Sequence, residues 1–157
     1  MNNNLKKMTL VGLGMAVVFC GTYFFIFPNQ IGGYMNLGDG FILLFASIVH
    51  PLGGFLIGGV GSAIADVASG FGIFAPFTLV VKGLEGYFVA KFNQKMNPYI
   101  CYGCGCLIMI AGYFLTDWFM QKSLAIAITG LPTNIMQAIC GMTIACLLHK
   151  VIKKQVN

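Results

Sequence analysis

The stretch "FILLFASIVHPLGGFLIGGVG", residues 41–61, decides the fold. It forms either one membrane span kinked at Pro51 or two shorter helices that turn around His50–Pro51. A span needs roughly 17–25 apolar residues, so length permits both. The first choice gives a chain of five helices and the second a chain of six. Lysine placement separates them. With six helices, Lys6 and Lys7, Lys91 and Lys95, and Lys150, Lys153 and Lys154 fall on one side. Lys122 alone lies on the other side and Lys82 lies within the membrane. With five, the terminal clusters would face opposite compartments. Because basic residues collect on the cytoplasmic side, the sequence predicts six helices with both termini cytoplasmic.

The rest of the chain agrees that lipid is the solvent. Of 157 residues, 58% are hydrophobic and 8% charged, whereas a soluble domain is nearer a quarter charged. Nine lysines, no arginine and four acids give a net charge of +5, too sparse and scattered for a nucleic-acid surface. The predicted architecture is one all-α integral membrane domain over 1–157, a multi-pass protein of the cell membrane. Its helices fall near 8–26, 38–50, 52–68, 76–92, 100–121 and 132–151. "KKMTLVGLGMAVVFCGTYFF" (6–25) has too long an apolar run for a signal peptide, and no small-residue cleavage site follows it. It is expected to be a retained first helix. "FPNQIGGYMN" (27–36) and "SGFGIFAPF" (69–77) are the outward loops.

A charge at mid-bilayer costs about 2.5–3.5 kcal/mol on insertion scales. Lys82 and Glu85 are nevertheless set inside "TLVVKGLEGYFVAKF" (78–92). Spaced i,i+3, they share a helix face and either neutralise each other or look into a polar cavity. Other polar groups lie at matching depth: Asp66, Tyr113 and Asp117 at i,i+4, and Asn134 and Gln137 at i,i+3. Asp39, Asp66 and Asp117 are alternatively wet residues at the interface, and the amides alternatively interhelical glue. Together, Lys82, Glu85, Asn134 and Gln137 outline an outward-opening pocket between the fourth and sixth helices, with aromatics able to stack on a flat ring.

Other motifs narrow the function. No G-x-x-x-x-G-K-[ST] loop is present, so ATP energy has to come from another subunit. No Ser/His/Asp set or H-E-x-x-H appears, so the chain is not expected to be an enzyme, to hold a metal or to carry a cofactor. In "CYGCGC", Cys101 and Cys104 share a helix face while Cys106 points away, a poor start for a tetrahedral site. Packing is the simpler role for these thiols, with a membrane thiol oxidoreductase as the alternative. Gly54-x-x-x-Gly58, extended by Gly61 and Ala65, fits close helix packing. Gly12-x-x-x-Ala16 on the first helix is a second small-residue stripe, suited to internal packing or to a partner helix.

"NLGD" (36–39), "GSAIADVASG" (61–70), "APFTLVVKGLEG" (75–86), "AGYF" (111–114) and "LPTNIMQ" (131–137) resemble, in order, the substrate-binding S components of energy-coupling factor (ECF) vitamin transporters. The resemblance is nearest to the branch associated with pyridoxine-like and hydroxymethylpyrimidine-like substrates. It implies a membrane-embedded vitamin binder working with a transmembrane T component and two ATPase subunits. It also implies a ligand site at the outer ends of the last three helices under loops 1 and 3, and T-component docking on Gly12 and Ala16. The full ligand sets of thiamine, biotin and riboflavin binders are not found, which leaves the substrate open. A self-sufficient secondary carrier or channel, with Glu85 or Asp66 carrying a proton, is the competing function.

Overall fold

The computed structural model describes the backbone of residues 3–156 and the side chains of residues 5–149 and 151. Lys150, Lys153 and Lys154 of the lysine count lie outside those described side chains. Among the described residues there are six helices: α1 (Asn3–Tyr23), α2 (Gly38–Ala46), α3 (Pro51–Ala68), α4 (Ala75–Phe92), α5 (Pro98–Gln121) and α6 (Leu124–Val156). The other regular structure is a two-residue ladder, β1 (Phe27–Pro28) against β2 (Tyr34–Met35).

Residues 41–61 thus form two helices. α2 stops at Ala46, where the Ser47 hydroxyl turns back onto the Leu44 carbonyl at 2.7 Å. His50, held in an extended conformation ahead of Pro51, then starts α3 by accepting the Gly53 N–H at Nδ1, 3.1 Å away. Among the described residues four helices are long and apolar enough to cross a membrane: Leu5–Tyr23, Pro51–Ala68, Pro98–Gln121 and Leu124–His149. Of the six transmembrane helices expected, α2 and α4 do not meet that measure. α4 has the length but carries Lys82, Glu85 and Lys91. α2 has nine residues rather than the predicted thirteen. At 1.5 Å per residue it covers about half of the hydrocarbon core.

The depth at which α2 begins has a cause upstream. The chain leaving α1 forms the β1–β2 hairpin, whose tip is closed by Asn29 Oδ1 accepting the Ile31 and Gly33 N–H groups at 3.1 and 2.8 Å. Gly32 supplies the positive φ (86°) that the turn requires. The chain then descends into the bundle, with Leu37 N–H on the Gly21 carbonyl at 3.3 Å. Consequently α2 begins deep, and Asp39 at its start packs on Gly141 of α6.

The sixth helix also departs from expectation. It starts at Leu124 rather than near 132 and runs for 33 residues with Pro132 inside it. Lys122 turns the chain in a left-handed conformation (φ 50°), and the Ser123 hydroxyl accepts the Ile126 N–H at 3.4 Å. This cap begins the helix two turns before the proline. Asn134 and Gln137 therefore lie in its third and fourth turns, well below its outer end.

α3 and α4 meet backbone to backbone. A Cβ on Gly54 would collide with the Gly86 carbonyl, and one on Gly58 with the Lys82 carbonyl. The Gly54–Gly58 stripe is internal packing, as expected. It coincides with a π-helical turn, Leu56–Val60, where the helix widens. Gly86→Ala is expected to lower the stability of the purified protein by about 1–3 kcal/mol, the range for overpacking a filled contact. Gly103→Ala, inside α5, meets nothing within 4 Å and should not lower the melting transition in detergent, since Ala is the better helix former.

Candidate functional site

The centre of the bundle holds a buried ion pair. Lys82 Nζ on α4 lies 3.1 Å from Asp39 Oδ2 on α2, and both residues are 0% exposed. Among the described residues it is the one salt bridge. Three further bonds support it. Lys82 Nζ also donates to Asn36 Oδ1 at 3.1 Å. Gln137 Nε2 on α6 donates to Asp39 Oδ2 at 2.7 Å, and Gln137 Oε1 accepts the Asn36 N–H at 2.9 Å. A charge pair in low dielectric depends on further hydrogen bonds to its remaining donors and acceptors, and these three meet part of that demand. Two expectations are corrected here. Lys82 is neutralised by Asp39 rather than by Glu85, and Asp39 is a core residue rather than a wet one. The descending loop that starts α2 deep in the bundle is the reason for both. Glu85 is also fully buried, against Gly105 of α5 and facing Asp39. Neither of its oxygens has a hydrogen-bond partner, nor has Asp39 Oδ1, so the cluster holds more acceptors than donors.

Above the ion pair lies a narrow, half-open cleft under the hairpin. The hairpin loop contributes Asn29, Gly33, Tyr34 and Asn36 to its lining. Phe74 and Thr78 come from the start of α4, Tyr113 and Asp117 from α5, and Asn134 from α6. Thr78 Oγ1 and the Tyr113 hydroxyl are 3.0 Å apart. Asp117 and Asn134 face each other across the α5–α6 seam, 6% and 7% exposed. The Tyr34 ring packs on Phe71 with centroids 4.5 Å apart, and its hydroxyl donates to Asp66 Oδ1. Burial and the neighbouring Asp66 carboxylate push that hydroxyl well above the ordinary tyrosine range, which keeps it a donor. Gln121 Nε2 holds the Ile31 carbonyl at 2.9 Å and ties the hairpin to the outer end of α5.

Of the residues singled out from sequence, Tyr113, Asp117 and Asn134 line the cleft. Asp66 lies behind it, reached through Tyr34. Lys82 and Gln137 form its floor through Asn36, and Glu85 lies in the same buried cluster. The pocket expected between the fourth and sixth helices therefore has α5 as a third wall and the hairpin as a roof. Asn29, Tyr34, Asn36 and Thr78 were not anticipated. The signal for the first three is the Asn29–Gly32–Gly33 turn, which folds the loop back on itself.

Among the thiols, Cys106 is buried close to the Glu85–Asp39 cluster. Cys101 and Cys106 are core residues, their sulfurs 3.7 Å from the Val89 and Ala138 carbonyls. No three His, Cys, Asp or Glu side chains among the described residues are grouped to hold a metal ion. Gly12 and Ala16 are exposed on α1, and a Cβ at Gly12 would meet nothing within 4 Å. That stripe is free of internal packing. Removing one ionic partner should be costly: Lys82→Met leaves Asp39 buried and uncompensated, a loss of about 3–5 kcal/mol. The double change Lys82→Met with Asp39→Leu should recover most of this, as read from melting of the purified proteins.

The comparisons with known proteins agree with this architecture. The family model for "ECF-type riboflavin transporter, S component" matches residues 2–154. The chain is 29% identical over 155 residues to the thiamine precursor transporter HmpT of Lactococcus lactis subsp. cremoris (strain MG1363), covering 98% of this chain and 91% of that protein. It is 38% identical over 129 residues to an uncharacterized protein of Pyrococcus woesei, covering 80% of this chain and 86% of the relative. Since the family match runs through every helix that frames the cleft, the chain belongs to the ECF-type riboflavin transporter S-component family, the multi-pass membrane subunits that bind substrate for vitamin uptake and are not enzymes.

Proposed function

We propose that this S component captures a single-ring vitamin or vitamin precursor, pyridoxine-like or hydroxymethylpyrimidine-like, in the cleft under the hairpin. The observation that carries this is the cleft itself. Its wall sets the Tyr34, Phe74 and Tyr113 rings, which can stack on one flat ring, beside amide, hydroxyl and carboxyl groups. The whole-length relative named as a thiamine precursor transporter supports the same choice. In this proposal all six helices lie in the membrane, the shorter α2 and the charged α4 being shielded by their neighbours. Both termini are cytoplasmic, as the lysine distribution requires. The cleft then opens outward.

Transport requires a T component and two ATPase subunits, which supply the ATP step that this chain lacks. The exposed Gly12–Ala16 stripe is the proposed docking face, because small residues let a partner backbone come close in lipid. Lys82, Glu85, Gln137 and Asp66 act on the ligand from behind the cleft wall, and Tyr113, Asp117 and Asn134 touch it.

Purified protein titrated with hydroxymethylpyrimidine, pyridoxine, thiamine and riboflavin tests the substrate class. Trp118, the single tryptophan, adjoins Asp117 and is 48% exposed, so its emission provides a readout. A single-ring compound should bind best, and Asp117→Asn or Asn134→Ala should weaken it by about 1–3 kcal/mol. Preference for riboflavin would overturn the proposed class. Gly12→Leu with Ala16→Leu should abolish uptake in cells and co-purification with the ATPase subunits while binding stays at the parental level. Uptake that persists without the ATPases would instead identify a self-sufficient carrier.

A further inference from the structure

Asn36 has a dual position: it lines the cleft, yet it is 3% exposed and bonded to four separate elements. Its Oδ1 accepts from Lys82 Nζ at 3.1 Å, from the Gly38 N–H at 2.9 Å and from the Thr22 hydroxyl at 3.4 Å. Its own N–H is held by Gln137 at 2.9 Å. An asparagine amide is ordinarily ambiguous, since its oxygen and nitrogen have nearly the same shape. Here the ambiguity is removed by chemistry. Turning the amide over would set its NH2 group against an ammonium and a backbone N–H, both donors only. Oδ1 is therefore fixed toward Lys82, and Nδ2, on the other arm of the same plane, is left for the cleft. No buried orphan is created there, because Nδ2 is not among the sealed polar atoms.

Asn29 repeats the device at the roof. Its Oδ1 is consumed by the Ile31 and Gly33 N–H groups, and the residue lines the same cleft. Asp117, also in the lining, supplies an acceptor on the α5 side. The cleft thus offers fixed amide donors from the hairpin loop and an acceptor from α5.

From this we infer that Asn36 is a specificity-determining donor which reads an sp2 acceptor, a ring nitrogen or a ring carbonyl, on the ligand. The Lys82–Asp39 pair is its positioning device. The ligand that fits carries an acceptor on the edge toward Asn36 and a donor, an amino or hydroxyl group, on the edge toward Asp117. The inference deepens the proposed function and rests on the cleft being the ligand site. A group held by several bonds before the ligand arrives loses little freedom on binding. A site built to bond one polar atom also discriminates strongly against an analogue lacking it, because the site's own donor is then left unpaired.

The test uses purified full-length protein and four probes. They are hydroxymethylpyrimidine, its analogues with each ring nitrogen in turn replaced by C–H, and its analogue without the exocyclic amino group. The parent protein should favour hydroxymethylpyrimidine over one of the C–H analogues by 10-fold or more. In Asn36→Ala that preference should fall to within about 3-fold, while discrimination against the deaminated analogue persists. Asn36→Asp keeps an oxygen for Lys82 but turns the cleft arm into an acceptor, and should bind the parent probe more weakly than Asn36→Ala does. Lys82→Met with Asp39→Leu removes the positioning ammonium and should also erode the ring-nitrogen preference, which mere loss of stability would not do. Melting curves identify any variant that has failed to fold. If the parent discriminates and Asn36→Ala retains that discrimination in full, the inference is overturned and the proposed function stands. If the parent binds none of the four, the inference is overturned, and the proposed function falls with it when pyridoxine is not bound either.

Discussion

Everything in the bundle is arranged around one constraint: an ammonium and a carboxylate have been placed where neither water nor lipid headgroups can solvate them. Lys82 and Asp39 meet at 3.1 Å, and both are fully buried. For Asp39 to reach that depth, the chain before α2 must descend into the bundle, so that α2 begins deep. For Lys82 to stay dry, α3 must cover its backbone, and the Gly58 contact on the Lys82 carbonyl allows this. Gln137 and Asn36 then bond Asp39 Oδ2 and Lys82 Nζ, while Asp39 Oδ1 and both Glu85 oxygens stay unpaired. A deeply set helix, a glycine seam and two buried amides are consequences of one electrostatic demand.

The same demand divides the protein in two. Below, the polar groups bond mainly to one another, and the cluster is continuous with the apolar core formed by Leu43, Val89, Tyr102 and Met109. Above, the hairpin is held by a handful of separate ties: Gln121 to Ile31, Tyr34 to Asp66, and Asn36 to Gln137. The floor of the cleft is thus rigid while its roof hangs on isolated hydrogen bonds. Such a division suits a binder whose selectivity is set from beneath and whose access is governed from the outside.

Much of the fold was legible in the sequence because hydropathy reports directly on lipid contact. The ends of α3, α4 and α5 fall within two residues of expectation, and the two-helix reading of residues 41–61 followed from lysine placement rather than from length. What was illegible depended on long-range partners. Nothing local to Asp39 marks it as buried, since its partner is 43 positions away. The expected start of the last helix near 132 is late, because the cap at Ser123 had already begun α6. The site was half visible. Tyr113, Asp117 and Asn134 were found by helical spacing, which works when a residue's neighbours lie on its own helix. Asn36 was missed because its neighbours come from α1, α4 and α6.

The depth and shortness of α2 also bear on how the chain enters the membrane during synthesis. A nine-residue helix carrying an aspartate is a poor candidate for insertion by itself, and α4, with its lysine and glutamate, is little better. Synthesis proceeds from the N-terminus, so Asp39 is made before Lys82 and must be sheltered until its counter-ion emerges. α3 follows α2 after a turn of four residues, 47–50, and its apolar length can carry both into the bilayer as a hairpin. The carboxylate is then already waiting at the right depth when α4 arrives. In this chain the order of the helices along the sequence matches the order in which their charges can be neutralised.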